Sequence, residues 1–429
     1  DIPSLLLLCS CRGQALHLRH SRFLPLEHVH LAAASRHAAG LAQQMHNEVD
    51  VVNVQVQEGR PRLLRLLEPV LPRPRRPGAH AAARDVLNLA QLATVDDLLR
   101  HRILRPEAKA LGDHQEALGA LGDLFRVTAV YSRTLANAEA LAARLPAPVA
   151  ALDDLDAILA RDDVDAVNIV LPIPQLPDTV RRALDAGKHV ISEKPVAPDV
   201  ETGRALLDHY AGRSDRVWMV AENYRYEPTY LRAAEIVASG AIGRPGVAVW
   251  PIQIDMTPSN KYYHTAWRRS DTFPGGFLLD GGVHHAATLR LILGEVARVS
   301  AIASAVRSDL PPWDTLQAAL AFESGVTGVY SLTYAHGAPW STTLDIVGDA
   351  GALRVSAGML ELTSGGATQR IELPAPRGVV EELRAFAAAI RDGAPHRNPP
   401  AQAVQDVAVM EAMLRSAETG ACCDVARIV

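Results

Sequence analysis

Between residues 164 and 195 the chain reads VDAVNIVLPIPQLPDTVRRALDAGKHVISEKP. Val167, Ile169, Val170 and Leu171 form a short, almost wholly apolar run closed by Pro172, as a parallel strand covered on both faces does. Thr179 to Ala186 sets Val180, Ala183 and Leu184 at helical spacing, Gly187 tolerates a left-handed helix end, and His189-Val190-Ile191 begins a second strand. The pattern is a βαβ unit. Upstream, Arg126 to Tyr131 alternates as a strand and leads into a helix reaching Leu145, followed by a helix over Leu152 to Ala160. Downstream, a helix from Val200 to Tyr210 precedes an apolar strand over Val217 to Ala221.

The pattern changes after that strand. Ala318 to Phe322, Thr327 to Thr333, Thr343 to Val347 and Ala352 to Val355 alternate apolar with polar residues between glycine-containing turns, which predicts an antiparallel sheet with one face open to a ligand or a partner subunit. Phe277 to Gly294 predicts a helix behind the Gly275-Gly276 pair, with Leu279, Val283, Ala286, Ala287, Leu291 and Ile292 on its apolar stripe. Val379 to Asp392 and Ala401 to Ser416 read as amphipathic helices, Met410 facing the core. The fold class is therefore α/β: a Rossmann-like parallel sheet, then an α+β domain with a mostly antiparallel sheet.

Composition narrows the function. A chain of 429 residues is too long for one ordinary core. A net charge of -5, with no basic stretch interleaved with aromatics, argues against nucleic acid, and no apolar run is long enough for a membrane span. Cys9, Cys11, Cys422 and Cys423 make neither a metal quartet nor a secreted framework, and SLLLLCSC near the start lacks the basic flank of a signal peptide. A cytoplasmic, reducing compartment and small-molecule chemistry are expected. Residues 1–102 differ from the rest, holding eight of the sixteen His and no Lys. Their His17, His20, His28, His30 and His37 share no period that would place them on one face, so no metal site is expected, and LPRPRRPGAH suits an exposed linker. Val51 to Val56 and Val86 to Leu99 are apolar enough for local strand or helix but carry no assignable role.

Two places concentrate chemistry. Glu193-Lys194-Pro195 follows a strand directly, at the sheet edge where open α/β folds bind ligands. Lys194 is one of four Lys beside thirty-nine Arg, and an amine, unlike a guanidinium, can join in proton transfer. Asp280 and His284 lie four residues apart, on one helix face, where a carboxylate would orient an imidazole as a general base. At the end of the 126–131 strand stand Ser132 and Arg133, a hydroxyl and a guanidinium that suit a 2′-phosphate and lean towards NADP over NAD. No glycine occurs between Gly78 and Gly112, so the glycine turn that lets a backbone approach a pyrophosphate is missing.

In this order the motifs resemble the glucose-fructose oxidoreductase / inositol dehydrogenase / rhizopine-catabolism (Gfo/Idh/MocA) family of NAD(P)-dependent oxidoreductases, from about Ile103 to near the C-terminus. The shared pieces are a first helix over Ile103 to Phe125, the EKP triplet, the Asn223/Arg225 turn, a Gly240 to Pro245 turn, Trp267-Arg268, and Asp280 with His284 after a Gly-Gly pair. The resemblance implies hydride transfer between NADP or NAD and a hydroxyl of a sugar, cyclitol or related polyol. Lys194, Asp280 and His284 would be catalytic. Ser132, Arg133, Pro172, Glu193, Lys194 and Pro195 would hold the cofactor, with a cis bond before Pro195, and Asn223, Arg225, Trp267, Arg268 and His285 the substrate. It implies a homo-oligomer as well. The chain departs from the family pattern at Ala287, where an Asp is frequent, and at the extra His285. The expected division is an unassigned segment over 1–102, a dinucleotide-binding domain over 103–225, and a substrate and oligomerisation domain over 226–429. The change of composition near 102 favours a shifted reading frame upstream over a genuine loss of the first strand. The alternatives are a nucleotide-sensing regulatory protein without catalysis, and an inactive relic.

Overall fold

The computed structural model describes residues 87–93 and 117–429, apart from 261, 271, 272, 274 and 337–341; within 87–93 only the Leu89 side chain is described. The histidines of the first forty residues, Val51 to Val56 and most of the Ile103 to Phe125 helix lie outside this set.

The first sheet has six parallel strands: β1 (Leu87–Ala93), β2 (Phe125–Tyr131), β3 (Ala150–Leu152), β4 (Ala166–Val170), β5 (His189–Glu193) and β6 (Trp218–Ala221), in the order β3-β2-β1-β4-β5-β6. This is the doubly wound order of a dinucleotide-binding sheet, with the change of direction between β1 and β4. Every residue of β4 is buried, which is why it reads as an apolar run broken only by Asn168. The helices α1 (Leu135–Ala142), α2 (Leu155–Leu159), α3 (Leu176–Asp185) and α4 (Val200–Ala211) connect the strands. Asp154 caps α2 by accepting the Asp156 and Ala157 amides, and Asp199 caps α4 by accepting that of Thr202.

Two sequence expectations need correction. The sheet begins upstream of residue 103: Leu87–Ala93 pairs with β2 on one side and β4 on the other, at the centre of the domain. Only an apolar stretch marks it, because the glycine turn by which such a strand is usually found is lacking. The helix expected over Leu152 to Ala160 is shorter, for Ala150–Leu152 is taken up by the edge strand β3, leaving Leu155–Leu159 for α2.

The second sheet has nine strands: β7 (Pro245–Gln253), β8 (Val296–Ser304), β9 (Thr315–Phe322), β10 (Thr327–Thr333), β11 (Leu344–Gly348), β12 (Gly351–Ser356), β13 (Met359–Ser364), β14 (Ala367–Glu372) and β15 (Cys423–Asp424), ordered β14-β13-β12-β11-β7-β10-β9-β8-β15. β7 and β10 run parallel, and the other neighbours run antiparallel. Four helices accompany the sheet: α5 (Pro228–Ala238), α6 (Gly276–Leu293), α7 (Gly378–Asp392) and α8 (Pro400–Thr419). α6 and α8 approach closely because α6 carries glycine at the contact; a Cβ at Gly282 would collide with Met410, which is fully buried. α7 returns to the first sheet, where Leu383, Phe386 and Ala387 share a core with Leu89, Ile191 and Met219, and Phe386 stacks on Phe125 at 6.4 Å. A late helix thus covers an early sheet. Among the described residues no helix is long and apolar enough to cross a membrane.

Candidate active site

The carboxyl ends of β4, β5 and β6 open on a cavity of about 740 Å³, within the range usual for small-molecule sites. Pro172 and Glu193 to Lys194 reach it from the strands, Asn223 and Tyr224 from the turn after β6, Trp267 and Arg268 from the turn before α6, and Asp280, His284 and His285 from α6 itself. α6 is aimed here by its start: Gly275 and Gly276 have φ of 72° and 47°, and a Cβ on Gly276 would press on the Arg268 carbonyl.

The two groups suited to proton chemistry have separate carboxylate partners. Lys194 Nζ donates to Asp280 Oδ1 at 3.0 Å and to the Asp280 carbonyl at 2.9 Å. Two of its three N–H donors are thereby used and a third remains. Arg268 Nε donates to Asp280 Oδ2 at 2.7 Å, so this carboxylate is shared between two cations. Burial pushes the Asp280 carboxyl up, but Arg268 and Lys194 outweigh it and hold the group well below the usual carboxylate range. Asp280 was expected to orient His284; instead it holds Lys194. Residues four apart share a helix face, but on α6 the carboxylate is claimed by the cations to one side of it.

His284 is held by Glu222, which sequence reasoning passed over. Glu222 follows β6, is 1% exposed, and its Oε1 lies 2.6 Å from His284 Nδ1. Burial raises this carboxyl, yet His284, Arg225 and Lys194 bring it below its ordinary value, so it stays ionised. An ionised carboxylate only accepts, hence Nδ1 carries the hydrogen of this contact, and Nε2 is the ring nitrogen left for a ligand. Tyr224 stacks on the His284 ring at 4.4 Å and 17°, and burial pushes its phenol up to about 12, so it remains neutral. The available signal was position: β6 lies beside β5, so the acid ending one strand stands on the same edge as the Glu193-Lys194 that ends the other.

The remaining sequence candidates divide. Pro172, Glu193, Asn223, Trp267, Arg268 and His285 line the cavity, and the Lys194–Pro195 bond is cis. Arg225 does not line it. Its Nη2 donates to both Asp406 carboxylate oxygens at 2.8 and 2.7 Å, and Arg290 donates to the same acid, so the expected substrate ligand is a buried ion pair linking the turn to α8. Ser132 and Arg133 lie at the end of β2, away from this cavity. Ser132 is fully buried, its Oγ 3.5 Å from the Thr134 amide, so of the expected pair only Arg133 is exposed.

Residues 102–221 match the family model described as an oxidoreductase family with an NAD-binding Rossmann fold, and residues 230–354 match the GFO/IDH/MocA C-terminal domain. The chain is 32% identical over 323 residues to the dehydrogenase FPY6 of Fusarium mangiferae, covering 71% of this chain and 92% of that protein. It is 29% identical to the D-xylose 1-dehydrogenase (NADP(+)) 2 of Haloferax volcanii, over 68% of this chain and 90% of the relative. The crystal structure of an oxidoreductase from Thermotoga maritima superposes with a TM-score of 0.72 at 33% identity, covering 80% of this chain and all 100% of the other. With the strand order of a dinucleotide-binding sheet, a strand-end Lys-Pro on a cavity, and a paired imidazole across from it, the chain belongs to the Gfo/Idh/MocA family and is an NAD(P)-dependent oxidoreductase.

Proposed function

We propose that this oxidoreductase acts on a carbinol of a sugar, cyclitol or related polyol, Lys194 polarising the reacting oxygen and His284 exchanging its proton. The observation that carries the reading is that Lys194 and His284 face one cavity, each fixed by a carboxylate of its own. The ammonium has an N–H to spare for an oxygen, and the imidazole has a lone pair on Nε2 for the hydroxyl proton. Glu222 stabilises the imidazolium formed, while Asp280 holds the amine in place and Arg268 limits how much of its charge that carboxylate cancels. Asn223 and Trp267 line the space left for the carbon skeleton.

The cavity suits a nicotinamide: it lies at the carboxyl ends of β4 and β5, walled by Val170, Leu171 and Pro172, with Glu193 as an acceptor for sugar hydroxyls. A bound nicotinamide nucleotide would supply or take the hydride. Arg133, exposed at the end of β2, favours a 2′-phosphate and hence NADP, as does the cofactor in the name of the Haloferax relative. Val247, Val249, Val329 and Val347 are 40–52% exposed on β7, β10 and β11, an apolar sheet face that supports a homo-oligomer.

The test is spectrophotometric. The 429-residue protein, given NAD or NADP and a panel including D-xylose and myo-inositol, should change the absorbance of the reduced nicotinamide, and Lys194→Met should slow the change by roughly 10²-fold. Absence of turnover across the panel with either nucleotide would overturn the reading. One observation favours the inactive alternative: β1 is followed by Thr94-Val95-Asp96-Asp97, with no glycine before Gly112 to let the backbone approach a pyrophosphate. Failure to bind either nucleotide would support it, whereas saturable binding without turnover would support the sensing alternative.

A further inference from the structure

α6 presents two consecutive histidines to the same cavity, and their outer partners differ in kind. His284 Nδ1 meets a carboxylate, whereas His285 Nδ1 lies 2.7 Å from the phenol oxygen of Tyr330 on β10. Tyr330 is 1% exposed, and His285 is its hydrogen-bond partner among the described residues. A phenol has one hydrogen to place and, when buried, needs an acceptor for it. If Nδ1 carried a hydrogen, the two groups would meet donor to donor or the phenol hydrogen would be stranded. With Nδ1 as acceptor both are satisfied, and the ring hydrogen must then sit on Nε2.

Resting on the proposed reaction, we infer that His285 is a fixed N–H donor for a second oxygen of the substrate, other than the one that reacts, and that Tyr330 is the positioning residue that sets this tautomer. The neighbouring rings therefore offer opposite functions: Nε2 of His284 accepts a hydrogen, Nε2 of His285 donates one. Successive residues stand about 100° apart around a helix, so the two rings do not converge on one atom. Tyr224 separates them, stacked on His284 and edge-on to His285 at 6.4 Å. Trp250 packs edge-on against His285 at 5.2 Å and completes its apolar surround. Burial, reinforced by His284, pushes His285 down to about 3, and burial pushes the Tyr330 phenol up, so neither partner changes charge in the range where the enzyme would work. A neutral donor of fixed direction selects for an oxygen lone pair, and thus for a polyhydroxylated substrate over a simple alcohol.

Long-range proton–nitrogen correlation spectra of the full chain test the tautomer, with His285→Gln identifying the signals of that ring. The expected spectrum shows His285 protonated on Nε2 and bare on Nδ1, and Tyr330→Phe should release it to a mixture. A His285 protonated on Nδ1 in the parent protein would overturn the inference. D-xylose and its 2-, 3- and 4-deoxy analogues test recognition. One deoxy compound should lose roughly tenfold in kcat/KM, mainly through KM, in the parent protein. That penalty should persist in His285→Gln, which keeps an N–H, and disappear in His285→Phe. An unchanged penalty in His285→Phe would also overturn it. Should no sugar turn over, the proposed reaction fails while the spectrum still decides the state of His285; should Tyr330→Phe not fold, the parent spectrum and the two His285 variants decide.

Discussion

The molecule contains two buried arrangements of acids and cations that look alike in composition and differ in use. Asp406 on α8 receives Arg225 and Arg290, and Arg290 is also bonded to Glu295 and Gln402, so each charge is enclosed by protein. Asp280 and Glu222 are buried too, but each holds a group that still faces the cavity, Lys194 in one case and His284 in the other. Enclosure by protein makes the Asp406 cluster a clamp between elements. One open side makes the Asp280 and Glu222 pairs into tools. Burial raises Asp406 above its ordinary value against the pull of its two arginines, whereas Asp280 and Glu222 end below theirs.

The sharpest way to separate the two arrangements is to break each and see which property falls. Asp406→Ala strands two guanidiniums and is expected to cost about 3–5 kcal/mol of stability in denaturant titration, with activity per folded molecule near that of the parent. Glu222→Gln should do the reverse. The amide can donate to Nδ1, the hydrogen of His284 moves to Nε2, and the base is lost, lowering kcat by roughly 10³-fold, about 4 kcal/mol of barrier, while the melting temperature shifts little. Lys194→Met leaves Asp280 with Arg268 alone and should reduce kcat/KM by roughly 10²-fold, about 3 kcal/mol.

The smallest expected effect concerns Glu382 on α7, a cavity-lining acid 1% exposed. Burial, then Glu193, Glu222 and Glu227, push its carboxyl well above the ordinary range. A raised folded pKa favours the protonated acid, so its contribution is fully present below the unfolded pKa, near 4.3, and declines as pH rises towards the folded value. Glu382→Gln should therefore stabilise the protein by about 1 kcal/mol at neutral pH and by less near pH 4, in thermal melts at the two pH values. Asp280 has the opposite sign. Its depressed pKa gives stability that is present above the unfolded value near 3.9 and lost as pH falls through the folded one.

What the sequence revealed follows the range of the interactions. β4, α3 and β5 were legible because apolar periodicity and a helix-ending glycine are local, and α6 was legible for the same reason. Lys194 and His284 could be named because a strand end and a helix face are local features too. Their partners could not be. Glu222 is 62 residues from His284, Asp280 is 86 from Lys194, and Asp406 is 181 from Arg225. The four-residue spacing of Asp280 and His284 suggested a pair that tertiary contacts replaced with two others. β7 was missed because it joins the second sheet from a stretch where Val247 and Val249 face outward and Pro251 interrupts the alternation.

The position of β1 bears on how this protein can be handled. A clone started at residue 103, where family likeness sets in, would omit the middle slat of the first sheet and leave β2 and β4 facing each other across a gap one strand wide. Both would then bear raw backbone edges, an invitation to pair with any extended peptide nearby. Such a product should collect in inclusion bodies, and adding a synthetic peptide spanning 87–93 during refolding would be the natural attempt at repair.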